Sequence, residues 1–317
     1  LSFPEISLFP LALAGLVPFF WFAGTERSWK SLLLGHLVFS LVFYGGVLIW
    51  IPRVLVVYGG LSPIIGGLAL LIMALAMGSV LLPFSLLFQW GSRRAPRTTL
   101  LAAPGLWILT ELIRNFAPFD GFPWASLGYS QVPFVWLSQT ADLGSVYLVS
   151  GLVVLTNSSL VLLARFRDWR KVCLTSGLVF LGCLYGLWRM EFPPPSPEHS
   201  VRVGVAQGNI DLMADRNYYA GKYFRTLPEL FDQASEQGAE WIIFPEAQNP
   251  YRYPGNFYFR EFWETRVQRK GVHLLFNSTS VEESGYYNSA YLLAPDGRPV
   301  YRYDKMHLVP FGEYLPM

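Results

Sequence analysis

Residues 191–210 read EFPPPSPEHSVRVGVAQGNI, and the chain changes character across them. Upstream, charges are sparse and clustered; downstream, Lys, Arg, Asp and Glu are interspersed as in a water-soluble domain. The prolines make 191–200 a stiff, polyproline-like spacer. Directly after it, VRVGVAQGNI places an apolar residue at every second position, the period of a half-buried strand. The junction divides the chain into a membrane helical bundle, 1–190, a Pro-rich linker, 191–200, and an external soluble part, 201–317.

Composition points the same way. Of 317 residues, 52% are hydrophobic, 16% aromatic and only 15% charged, against about 25% charged in an average globular domain. A membrane span needs about 20 mostly apolar residues. Six stretches qualify: 6–23, 31–51, 63–90, 100–116, 143–164 and 172–190. The fourth carries Glu111 and Arg114, spaced to share a helix face and pair. Charges inside a span face the bundle interior, so this pair is expected either to lock helices or to form a polar wall near a lipid headgroup.

The connecting loops alternate in charge. Loop one carries Arg27 and Lys30, and loop three Arg93, Arg94 and Arg97. Loop five carries Arg165, Arg167, Arg170 and Lys171. Loop two holds Arg53 alone, and loop four, 117–142, has no Lys or Arg. The positive-inside rule makes loops one, three and five cytoplasmic and puts the soluble part outside. Loop four contains GFPWASLGYSQVPFVW, a composition suited to the membrane–water interface. It reads either as an aromatic belt or as a loop that meets the external domain and a lipid.

Several classes fall away. The net charge of +2 says nothing about partners, but a nucleic-acid footprint needs a basic stripe and the soluble part shows none. Cys173 and Cys183 share one apolar stretch, so no disulfide framework is possible outside it; both read as small buried hydrophobes. The opening LSFPEISLFP lacks the charged start of a signal peptide. With Leu1 first, it suggests a processed or fragmentary beginning.

In the soluble part, 218–237 and 257–270 read as helices stopped by Gly238 and Gly271. AEWIIFPE and VHLLFNSTSV read as strands. YNSAYLLAPDGRPVYRYDK reads as two strands around a Pro-Asp-Gly turn. Alternating strands and helices followed by a hairpin describe an α/β layered domain.

Two stretches there carry chemistry. WIIFPEAQNP sets Glu246 just beyond a strand's carboxyl end, where sites in α/β sheets form. A carboxylate behind a proline and beside apolar residues suits a general base. YDKMHLVPFGEYLPM, 303–317, supplies Lys305, His307 and Glu313. A lysine near a carboxylate can stabilise a developing oxyanion. Taken singly, Glu246 also reads as a helix-start or solvated residue and Lys305 as a surface lysine.

A strand ending in Pro-Glu, followed downstream by YDKMHLVPFGE, resembles the nitrilase (carbon–nitrogen hydrolase) superfamily. With GFPWASLGYSQ, VAQGNI, FPEAQNP and KMHLVPFGEYLP taken together, the whole chain resembles the apolipoprotein N-acyltransferases, its membrane-bound members. The resemblance implies a multi-span α-helical membrane bundle plus an incomplete α/β nitrilase-like external domain of the αββα sandwich type. It implies Glu246 as general base, Lys305 as the triad lysine supporting the tetrahedral intermediate, and Glu313 as a supporting glutamate. It implies a cysteine thiolate that takes an acyl chain from a phospholipid donor as a thioester. The chain then passes to the N-terminal amine of a diacylglyceryl-cysteine apolipoprotein, at a bacterial inner membrane with the soluble domain periplasmic. No cofactor and no metal are implied.

The family's cysteine lies beyond VPFGE, so no nucleophile is expected among these residues. The chain is expected to be truncated at both ends and inactive on its own. In DLMADRNYY the family's usual tryptophan is absent: Arg216 stands near its place, with Tyr218 or Tyr219 as substitutes. Two other readings remain: a membrane-tethered nitrilase-like amidase, and a non-catalytic transporter or scaffold.

Overall fold

Inside a bilayer a chain satisfies its backbone hydrogen bonds by coiling or by closing a barrel, and the first unit, Leu1–Pro194, coils. The computed structural model describes residues 2–3, 6–26, 28–116, 121–194, 199–211, 213, 215–246, 249–253, 255–283, 285–309 and 313. Several residues with an expected role lie outside the described ones: Arg27, 117–120, linker residues 195–198, Ala247 and Gln248, 310–312 and 314–317. So does the side chain of Arg216.

The helices are α1 (Ala12–Gly15), α2 (Val17–Thr25), α3 (Trp29–Val47), α4 (Ile51–Val57), α5 (Pro63–Arg94), α6 (Pro96–Arg114), α7 (Val135–Ser138), α8 (Ala141–Val161) and α9 (Trp169–Glu191). A π-helical turn, Leu162–Phe166, extends α8. Side chains of Ser28, Ser62 and Asp168 accept from the first-turn amides of α3, α5 and α9, the usual N-cap bond. Four of the six expected stretches form helices long and apolar enough to cross a membrane: α3, α5, α8 with its π turn, and α9.

The other two stretches differ for local reasons. Residues 9–25 make only a shorter apolar helix, broken at Leu16 ahead of Pro18. Asn157 on α8 repairs the break: its Oδ1 accepts from Leu16 N and its Nδ2 donates to Ala12 O, both at 2.8 Å. In α6, Arg97, three threonines, Glu111 and Arg114 dilute the apolar run. In the bundle, α5 packs on α3 and α6, while α8 packs on α6 and α9. Phe20, Phe84, Phe88 and Trp107 are buried at its centre. His36 joins α3 to α5 through Ser85 Oγ (2.8 Å) and Gly78 O (3.0 Å).

Two expectations are corrected in this unit. Glu111 and Arg114 are both buried but do not pair. Glu111 Oε1 accepts from Trp107 Nε1 (2.9 Å) and Leu127 N (2.7 Å). Arg114 donates to Ser126 Oγ (3.1 Å) and Tyr44 OH (3.4 Å). Their hydrogen bonds go instead to Trp107, to Tyr44 of α3 and to the 126–128 turn. The cysteines are not both buried: Cys173 is exposed and Cys183 half-buried, because α9 packs along one face only.

The second unit, Pro195–Met317, is a five-stranded sheet in the order β1 (Val203–Val205), β2 (Trp241–Ile243), β3 (His273–Glu282), β4 (Gly285–Leu293), β5 (Pro299–Asp304). β1, β2 and β3 run parallel; β3–β4 and β4–β5 are antiparallel. α10 (Arg216–Glu236) and α11 (Phe257–Lys270) make the two crossovers. Asp215 caps α10, and Gly238 (φ 83°) and Gly271 (φ 66°) adopt left-handed conformations beyond α10 and α11, as expected of helix-stopping glycines.

Strand periodicity gives the sheet two unlike faces. Ile242, Leu274, Phe276 and Leu293 join Tyr223, Phe231 and Trp263 of the helices in one core. Alternation sends Val205, Asn277, Asn288 and Tyr301 to the opposite face, where Val205 and Tyr301 are 73% and 60% exposed.

Candidate active site

Glu246 is delivered by the end of a parallel strand. Beyond β2, Phe244 N still donates to Leu275 O (2.9 Å) and its ring is buried in the core. Two residues later the chain has left the sheet, and Glu246 stands exposed past its carboxyl edge. Lys305 is delivered in the same way. Its amide donates to Asn288 O (2.8 Å), one step past the end of β5.

The two side chains then meet. Lys305 Nζ lies 3.0 Å from Glu246 Oε1, although 59 residues separate them. The same ammonium lies 3.0 Å from Glu313 Oε2 and 3.1 Å from its Oε1. Val309 N donates to Glu313 Oε2 at 2.8 Å, which ties the turn after β5 to the cluster. Three of the residues singled out in the sequence, Glu246, Lys305 and Glu313, therefore converge. His307 is exposed, and Tyr218 is exposed on the first turn of α10; Tyr219 beside it is half-buried, and burial pushes its phenol up.

Charge balance decides the state of the lysine. Burial alone lowers the pKa of Lys305, but hydrogen bonds and charge from Glu313 and Glu246 outweigh it, so the net shift is upward. Burial pushes the carboxyl of Glu313 up, but the Val309 amide, Lys305 and Asn288 outweigh it and hold it below its ordinary value. One ammonium between two carboxylates stays protonated at neutral pH. It is a hydrogen-bond donor and electrophile, not a base.

Asparagines organise the cluster. Asn288 Nδ2 donates to Glu246 Oε1 (2.6 Å) and to Glu313 Oε1 (2.9 Å). Its Oδ1 accepts from Asn277 Nδ2, which also donates to Ser289 O. Asn277 O accepts from Asn249 Nδ2, and Asn249 Oδ1 accepts from Tyr223 OH at 2.5 Å. A chain of hydrogen bonds thus runs from a fully buried tyrosine of α10 to the exposed carboxylate of Glu246. The sequence reading missed these residues. A signal was present: asparagine is depleted in strands, yet FNSTS and YYNSAY each hold one within a strand pattern.

In the helical unit, the 126–128 turn is held by Arg114, Glu111 and Ser150. Gly128 is required there, since a Cβ would meet Val146 O at 2.5 Å. The segment beside it lines an apolar cavity of about 610 Å³ with Ile49, Trp50, Trp124 and Tyr129 on its wall.

The family described as apolipoprotein N-acyltransferase N-terminal domain matches residues 1–159. The family described as carbon-nitrogen hydrolase matches residues 202–317. Proteins named apolipoprotein N-acyltransferase align with the whole chain: 33% identical in Geobacter metallireducens, 27% in Vibrio cholerae and 28% in Aquifex aeolicus. The chain spans 63%, 63% and 67% of their lengths. Among solved structures, a carbon-nitrogen hydrolase from Helicobacter pylori G27 is 25% identical over 36% of this chain and 42% of its own, with a TM-score of 0.28.

Proposed function

The chain belongs to the apolipoprotein N-acyltransferase family, and from that premise we propose that it serves lipoprotein N-acylation, with Glu246, Lys305 and Glu313 as its acid–base and oxyanion groups. The observation that carries this reading is the Lys305 ammonium held between two carboxylates at 3.0 Å from each. In this role Glu246 takes the proton of a cysteine thiol, and the thiolate attacks the acyl ester carbonyl of a phospholipid. Negative charge gathers on the carbonyl oxygen, and Lys305 donates to it. Collapse of the intermediate breaks the ester bond, and Glu246 returns the proton to the departing lysophospholipid oxygen. The acyl group is then a thioester. The α-amine of a diacylglyceryl-cysteine apolipoprotein attacks it, Glu246 accepts the amine proton, and the thiolate leaves and is reprotonated.

Cys173 and Cys183 belong to the helical unit, on α9, and neither is proposed as the thiol. Glu246 is exposed, as a base must be to receive a proton from a group that approaches it. The apolar cavity beside Trp124 in the helical unit suits an acyl chain, and a lipid donor accounts for a hydrolase-type domain joined in one chain to membrane helices. The sparse loop four and the basic loops one, three and five favour a bacterial inner-membrane location with the sheet unit on the periplasmic side.

The test is acyl transfer from a phospholipid to a synthetic diacylated lipopeptide by the whole protein. Glu246→Gln and Lys305→Ala are each expected to abolish it. Transfer at the parent rate by either variant would refute the assigned roles.

A further inference from the structure

One end of the helical unit carries an excess of positive charge that the acyl-transfer chemistry does not use. The α5–α6 junction holds Arg93, Arg94 and Arg97. The α8–α9 junction holds Arg165, Arg167, Arg170 and Lys171. Within these two junctions the only acid is Asp168. The fold makes them a single surface: Arg97 Nε lies 3.7 Å from Asp168 Oδ2, and its guanidinium sits 5.5 Å from the ring of Phe166. Asp168 also binds Lys171 Nζ at 2.8 Å and caps α9, so its charge is committed within the cluster.

Two further observations mark this surface. The turn that carries it is irregular. α8 ends in the π-helical turn Leu162–Phe166, and Arg167 takes a left-handed conformation at φ 49°. Such a conformation in a residue with a Cβ persists only where the surroundings hold it, and it clusters at binding sites. Exposed tryptophans also accompany it: Trp90 and Trp169 are 58% and 62% exposed, and Arg94 lies 4.1 Å over the ring of Trp90. Tryptophan at this exposure beside apolar helices sits at the headgroup level of a bilayer.

From these observations we propose that the surface formed by residues 93–97 and 165–171 binds the phosphate headgroup of an anionic membrane phospholipid. The tryptophans decide between a lipid and an acidic polypeptide, because they set the cations at the depth where lipid phosphates lie. The site belongs to the end of the bundle away from the 121–131 turn and needs no acyl-transfer step. Its success or failure is therefore separate from the assignment of Glu246 and Lys305.

The experiment uses the whole protein in a neutral detergent, titrated with dioleoyl phosphatidylglycerol or dioleoyl phosphatidylcholine. Bound lipid is counted by native mass spectrometry, and the melting temperature is followed in parallel. Phosphatidylglycerol is expected to bind in preference and to raise the melting temperature, and the preference falls in 0.5 M salt, about the concentration that shrinks screening to a few ångströms. In Arg94→Gln/Arg170→Gln the preference is expected to fall about thirtyfold, given roughly 1 kcal/mol for each of the two basic side chains removed near an anionic surface. Equal binding of the two lipids, or a preference unchanged in the variant, overturns the proposal. So does an acidic peptide that displaces phosphatidylglycerol at equal concentration. Should the variant fail to fold, the salt dependence of the parent protein decides alone.

Discussion

Lys305 is held by two carboxylates, and its behaviour with pH follows from the direction of its shift. Its folded value is raised above 10.5, so its contribution to stability is fully present below that value and is lost as pH rises through the higher folded one. Glu313 is shifted down from 4.5; its contribution is fully present above that value and is lost as pH falls through the lower folded one. Neutral pH lies inside both windows. Glu313→Gln removes one of the two charges and should lower the pKa of Lys305, measured by NMR of the isotopically dimethylated lysine. An unchanged pKa would mean that the two groups do not sense each other in solution. Asn288→Ala removes the donor shared by Glu246 and Glu313. It is expected to cut kcat by on the order of 10²-fold, the cost of a misplaced catalytic group, while KM changes little. Tyr223→Phe, at the buried end of the same chain of hydrogen bonds, should give a smaller loss of the same kind. At this scale, Glu246 and Lys305 were singled out at strand ends in an apolar, proline-marked context, and their proposed roles, with that of Glu313, rest on the resemblance carried by the motifs. Asn288 and Asn277 were not read, because their work depends on what lies across the sheet.

Elements obey local rules where their signals are strong. Residues 257–270 read as a helix and form α11, with Gly271 in the left-handed conformation that the reading requires. α10 begins at Arg216 rather than 218 because Asp215 accepts from Asn217 N and Tyr218 N, a cap hidden inside a polar stretch. The short β2 was legible as WII ahead of FPE, since an apolar run closed by proline reads as a buried strand. The helical unit is less transparent. Asn157 looks like an unremarkable polar residue in an apolar run, yet it supplies the partners lost where the first helix breaks. Close approaches are also invisible in one dimension. α9 passes α7 at Gly186, where a Cβ would lie 1.8 Å from Trp136 O. Gly186→Ala must push the helices apart. It is expected to destabilise the helical unit by about 1–3 kcal/mol, the usual cost of overpacking, seen as a lower melting temperature in detergent.

The described residues of each unit form a hydrophobic core of their own, and each core is expected to respond to its own mutations. Phe231 is fully buried between α10 and the sheet. Phe231→Ala should cost about 3–5 kcal/mol in that core. Hydrogen–deuterium exchange is expected to speed up across 216–293 and to stay unchanged across α5. Acceleration in both would show that the cores are coupled.

By itself the sequence determined the helical character of the first part of the chain, the layered α/β pattern of the second, and the resemblance carried by its motifs. These are properties of composition and of periods spanning a few residues, and a chain carries them wherever it goes. Tertiary structure alone decided that Glu111 and Arg114 take separate hydrogen-bond partners, some of them on the 126–128 turn. It alone brought Lys305 to Glu246 across 59 residues of chain and set Asn288 between two carboxylates. Such contacts depend on strand register and on partners distant in sequence, and neither is written in any local stretch.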